Sequence, residues 1–164
     1  MTSRKILMFV GLVLSVIVYQ TLLADLLTVG SSRPDLILVL IVWLTLTRDL
    51  TWGVSFAFLA GILEDSHTPQ FLGLGAFLKI AGAVTVYLIS HRVRTDRLII
   101  RIGMVAAVVL GHDILYFLVV YSFDVQLEFA TLLYSIVPSA AYTAVIAAVV
   151  LYLAERQLTI KFES

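Results

Sequence analysis

The stretch FLAGILEDSHTPQFLGLGAFLKIAG, from Phe58 to Gly82, places Glu64 and Asp65 side by side between two apolar runs and Lys79 inside the second. Asp113, next to His112, lies inside another apolar run, and Asp35 follows Pro34 at the start of a third. Ionisable residues within apolar spans mark functional sites by default, with structural ion pairing as the main competitor. Glu64 and Asp65 close an apolar segment. Acids at a helix C-terminus oppose the macrodipole, so local helix stability does not account for them. They fit either a solvated loop or a polar recess or partner contact near one membrane face. Pro34–Asp35 reads as a helix start, where both residue types are favourable. Asp25 closes the first apolar run on the same side. Four carboxylates thus gather toward one face, with Arg33 nearby.

The chain carries none of the motifs that would turn these residues into a catalytic site. It has no H-E-x-x-H, no G-x-S-x-G and no phosphate-cradling glycine loop. His67, His91 and His112 fall at three different levels, which argues against a shared metal. A lone membrane histidine such as His112 reads as a hydrogen-bonded packing residue, pointing to a different part of the helix surface from Asp113. Without cysteine, disulfides, thiol catalysis and thiolate metal sites are excluded. A net charge of zero gives no overall field for nucleic acid. No enzyme activity and no cofactor are expected.

The elements that position these residues follow from hydropathy. The 164 residues are 61% hydrophobic and 13% charged, with a mean hydropathy of +1.05. A soluble domain is nearer half apolar and a quarter charged. Six apolar segments separate at charged, glycine or proline breaks: 6–27, 34–47, 51–64, 71–91, 98–123 and 129–153. The expected fold is an all-α polytopic membrane protein, one domain over 1–164 with six transmembrane helices in a lipid bilayer. The run from Ile6 to Leu23 exceeds a signal peptide's apolar region, so it reads as a retained first span. With the N-terminus in the cytoplasm, nine basic residues face the cytoplasm and only Arg33 lies outside, so both termini are expected to be cytoplasmic. The loop HRVRTDR is the strongest anchor. Spans 2 and 3 have about 14 uncharged residues each, about 21 Å of helix, joined by the tight turn TRDL. They form a short hairpin whose far ends carry Asp35 and Glu64–Asp65.

Depth suggests a partner for Lys79. It lies about 13 Å below Gln70, and Asp113 lies about 12 Å below Tyr121, on antiparallel neighbours joined by a short loop. Asp113 is the expected counterion, although the lean of helical side chains toward their own N-terminus also carries Lys79 toward Glu64 or Asp65. Small residues recur every four positions: Gly103, Ala107 and Gly111 in span 5, and Ala140, Ala144 and Ala148 in span 6 beyond Pro138, which is expected to kink its helix. These stripes suit close helix packing, within the monomer in the first reading and against a partner's transmembrane helix in the second.

The segment RPDLILVLIVWLTLTRDLTWGVSFAFLAGILEDSHTPQFLGLGAFLKI resembles the rod shape-determining protein MreD family. The pattern is Pro34–Asp35 opening an apolar run, a short turn with Arg48, Gly53, then Gly61-x-x-x-Asp65, then Gly73 and Gly75. The resemblance implies a non-enzymatic protein of the bacterial cytoplasmic (inner) membrane that belongs to the cell-elongation machinery. It implies association with MreC, influence on the peptidoglycan synthase formed by RodA and its transpeptidase, and a link to MreB filaments. It also implies a fold similar to the substrate-binding S component of energy-coupling-factor vitamin transporters. Carriage of a vitamin is therefore the second reading, ranked lower because the outer loops offer few polar and aromatic groups.

Overall fold

A computed structural model describes residues 3–19, 22, 34–66, 71–93, 97–121 and 129–160. The described residues form six α-helices and no strand: α1 Ser3–Val18, α2 Leu36–Thr47, α3 Leu50–Asp65, α4 Leu74–Ser90, α5 Leu98–Tyr121 and α6 Phe129–Ile160. Asp25, Arg33 and His67 lie outside the described residues.

The described part of each of the six apolar segments falls on one helix, with differences at the ends; residues 20–21 and 23–27 of the first segment and 122–123 of the fifth lie outside the described residues. α4 starts at Leu74 rather than at Phe71, because Gly73 takes a left-handed φ of 93° that breaks the helix before it. α6 continues past Leu153 to Ile160. Ala, Glu, Arg, Gln and Leu are good helix formers, so the apolar boundary is not the helical boundary. α6 is a single helix through Pro138.

α2 is the central helix. Its sequence, LILVLIVWLTLT, is apolar on every side, which suits burial on every side. It packs against α3, α4, α5 and α6 and buries Leu38, Ile41, Val42 and Leu44 completely. Asp49 ends the α2–α3 turn as the N-cap of α3, its carboxylate accepting from the Trp52 N–H at 3.0 Å. Phe9 of α1 meets Trp52 edge to face at 5.6 Å between centroids. α3 and α4 form the closest pair. A methyl group on Gly61 would sit 2.3 Å from the Ala76 Cα, so only glycine permits this backbone approach.

Two stretches, Leu98–Val120 and Ile136–Leu153, are long and apolar enough to cross a membrane. Fewer than a third of the residues in either are buried, unlike the core helices of a soluble protein. Leu7, Phe77, Leu88, Ile99, Tyr134 and Val145 are each more than 60% exposed. Apolar surface on this scale suits hydrocarbon rather than water.

Candidate functional site: a polar junction

The hairpin topology brings the start of α2, the end of α3 and the start of α4 to one end of the bundle. Asp35, Glu64 and Asp65 therefore meet there, and Lys79 reaches them from the second turn of α4. Each group has its own partner.

Asp35 is the N-cap of α2, one carboxylate oxygen accepting from the Leu38 N–H at 2.9 Å. Its backbone N–H donates to the Thr143 hydroxyl of α6 at 3.0 Å. The preceding carbonyl, of Pro34, accepts the Tyr19 hydroxyl just beyond α1. Asp65, only 3% exposed, serves the neighbouring helix. One carboxylate oxygen accepts from the Gly73 N–H at 2.9 Å and from the Ala76 N–H at 3.2 Å. It opposes the dipole of its own helix but caps the positive end of α4. Gly75 leaves the room for this: a Cβ there would sit 2.3 Å from an Asp65 carboxylate oxygen.

Lys79 is 1% exposed and fully enclosed. Its ammonium lies 2.7 Å from the Glu64 carboxylate and 3.9 Å from that of Asp35. It also contacts the His112 Nε2 at 3.5 Å. An ammonium only donates, so Nε2 accepts and the ring proton sits on Nδ1, which donates to the Asp113 carboxylate at 3.0 Å. The result is one chain, Glu64–Lys79–His112–Asp113, joining α3, α4 and α5, with Asp35 bringing in α2 and α6.

This corrects two expectations. Lys79 and Asp113 are not a direct ion pair; Lys79 pairs with Glu64, and Asp113 connects only through His112. Equal depth along the helix axes did not fix the rotation of either helix. His112 is also not turned away from Asp113, because a ring nitrogen and a neighbouring carboxylate can reach each other along the helix surface. The residues that sequence reasoning missed are Thr143 and Tyr19, a hydroxyl in an apolar run and an aromatic, which carried no signal of a shared partner.

The small-residue stripes divide. Ala140 is buried and Ala144 half-buried. Gly103 and Gly111, by contrast, have no atom within 4 Å of where a Cβ would stand, and Ala107 is exposed. Among the described residues, the expected packing of Gly103, Ala107 and Gly111 inside the monomer is not formed; this face lines an open groove between α4 and α5.

Of the residues of the sequence pattern, Pro34, Asp35, Gly61, Asp65, Gly73 and Gly75 gather at this end of the bundle, whereas Arg48 and Gly53 lie at the α2–α3 turn, where Gly53 meets Thr45. The family described as rod shape-determining protein MreD matches residues 2–161 of the chain. The chain belongs to the MreD family. The match takes in all six helices. Membership assigns a role in rod shape determination and to the shape-determining machinery, as a structural protein rather than a known enzyme. Comparison with curated proteins and with solved structures gave no match.

Proposed function

We propose that the protein is a non-enzymatic six-span scaffold of the bacterial cell-elongation machinery. It lies in the inner membrane with both termini in the cytoplasm. It binds MreC and, with it, influences peptidoglycan synthesis by RodA and its transpeptidase and the MreB filaments. The family match over residues 2–161 carries this reading. The junction supports it. Its carboxylates serve backbone N–H groups or Lys79, which leaves few polar groups pointing into a cavity for a vitamin. Its role in the scaffold is to hold the helices in fixed register, and the half-exposed Glu64 marks where a partner reaches it.

Recovery of the tagged full chain in mild detergent tests this. MreC is expected to co-purify. Recovery instead of two ATPases with a coupling membrane subunit would assign the chain to a vitamin transporter and overturn the scaffold.

A further inference from the structure

The groove between α4 and α5 has a volume of about 390 Å³. Gly82 and Ile89 on α4 and Ile100, Gly103, Ala107 and Gly111 on α5 line it, and His112 lies toward its far end. Its lining is almost wholly apolar. The distance from Ile100 to Gly111 along α5 is about 16 Å, and one leaflet of a hydrocarbon core about 30 Å thick is about 15 Å deep. Among the described residues, no side-chain atom lies within 4 Å of where a Cβ at Gly103 or Gly111 would stand.

The end of the groove is basic among the described residues: Arg92 follows α4, and Arg97 and Arg101 stand at the start of α5. Arg101 stands three residues before Met104 and so lies on the groove-lining stripe of α5, and Arg97, whose carbonyl accepts from the Ile100 N–H at 3.0 Å, immediately precedes that helix. Arg92 stands three residues after Ile89, and its N–H bonds the Ile89 carbonyl. Arg92 and Arg97 are exposed. An apolar slot one leaflet deep that opens onto arginines matches a molecule with an acyl chain and an anionic headgroup.

We infer that the α4–α5 groove binds an anionic phospholipid, one acyl chain lying over Gly103 and Ala107 and its phosphate held by Arg92, Arg97 and Arg101. This rests on the six-span reading, which places that end of the groove in the cytoplasmic leaflet. A protein helix in the groove would need no cluster of arginines at one end, so the charge favours lipid.

The test is native mass spectrometry of the full chain released from nanodiscs containing equal amounts of phosphatidylglycerol and phosphatidylcholine with matched acyl chains. Phosphatidylglycerol is expected to be retained preferentially. Arg92→Gln and Arg97→Gln are each expected to lower its retention about fivefold at low ionic strength. Gly103→Phe, whose Cβ has room and whose ring would occupy the groove, is expected to remove retention of both lipids while the protein still melts as the wild type does. Equal retention of the two lipids, or unchanged retention in Gly103→Phe, overturns the site. So does a Gly103→Phe variant that keeps its lipid but loses a second copy or MreC, which would give the groove to a protein helix. Labelling of a cysteine at Thr95 from outside intact cells would overturn the topology. Selective retention by the purified chain would then still support the groove and only move it to the other leaflet.

Discussion

Lys79→Met removes the one cation that the described residues bring to a buried junction holding several acids. At an effective dielectric of about 20, its contacts at 2.7 and 3.9 Å are worth roughly 6 and 4 kcal/mol before desolvation. Enclosing the ammonium offsets most of that. Truncating one member of a buried pair ordinarily costs about 3–5 kcal/mol, because the other charge stays buried. Glu64 is 45% exposed and regains water when Lys79 is gone. The expected loss is therefore lower, about 2–3 kcal/mol. For a chain of this size it lowers the melting temperature in detergent by about 5–10 °C. Glu64→Gln alone is expected to cost less, since Lys79 keeps Asp35 and His112. The double change is expected to recover about 1–2 kcal/mol of the summed losses, whereas Lys79→Met with Asp113→Leu is expected to add to within about 0.5 kcal/mol. Thermal melts followed by intrinsic fluorescence give all five values against wild type. Additive losses for Lys79 and Glu64, together with strong coupling of Lys79 to Asp113, would refute the assignment.

Two further substitutions probe the frame around the junction. Gly61→Val drives a side chain into the Ala76 backbone, 2.3 Å from the Cα and 2.7 Å from the N, neither of which can swing aside. It is expected to cost about 3 kcal/mol or more in the same melts, and a loss no larger than that of Gly103→Ala would contradict the close approach. Asp65→Ala removes the acceptor of the Gly73 and Ala76 N–H groups, with an expected cost of about 1–2 kcal/mol. Hydrogen exchange at those two amides is expected to accelerate, with Asp65→Asn intermediate, and unchanged exchange in Asp65→Ala would remove the cap.

Hydropathy made the six helices legible, because each apolar block ends in charge, glycine or proline. It did not make their ends legible. Phe71 and Leu72 are as apolar as the helix they precede, and only the backbone at Gly73 separates them from it. The partner of Lys79 was hidden for a related reason. Depth is a coordinate along the axis, and pairing also needs rotation about it. The contact of Gly61 with Ala76 supplies that rotation. Glu64 stands three residues beyond Gly61 and Lys79 three beyond Ala76, so both lie on the facing sides of α3 and α4. The two steps run in opposite directions, since the helices are antiparallel, but each side chain leans toward its own N-terminus and the leans converge. The stripe of Gly103, Ala107 and Gly111 showed that something can come close, not whether it belongs to the same chain.

One lysine serves several carboxylates because helix ends provide the rest. Asp35 and Asp65 each accept from backbone N–H groups at the start of a helix, α2 and α4. A helix N-terminus carries roughly half a positive charge. Two such ends and the Lys79 ammonium amount to about two positive charges against the three carboxylates of Asp35, Glu64 and Asp65. Asp35 and Asp65 are held by their caps, and of the three Glu64 presents the most side chain outward, nearly half of it. The same geometry that buries Lys79 therefore leaves the Glu64 carboxylate at the edge of the junction, at the end of α3. A partner group that meets the Glu64 carboxylate without breaking the Lys79 contact is best matched by a hydrogen-bond donor, because a carboxylate only accepts.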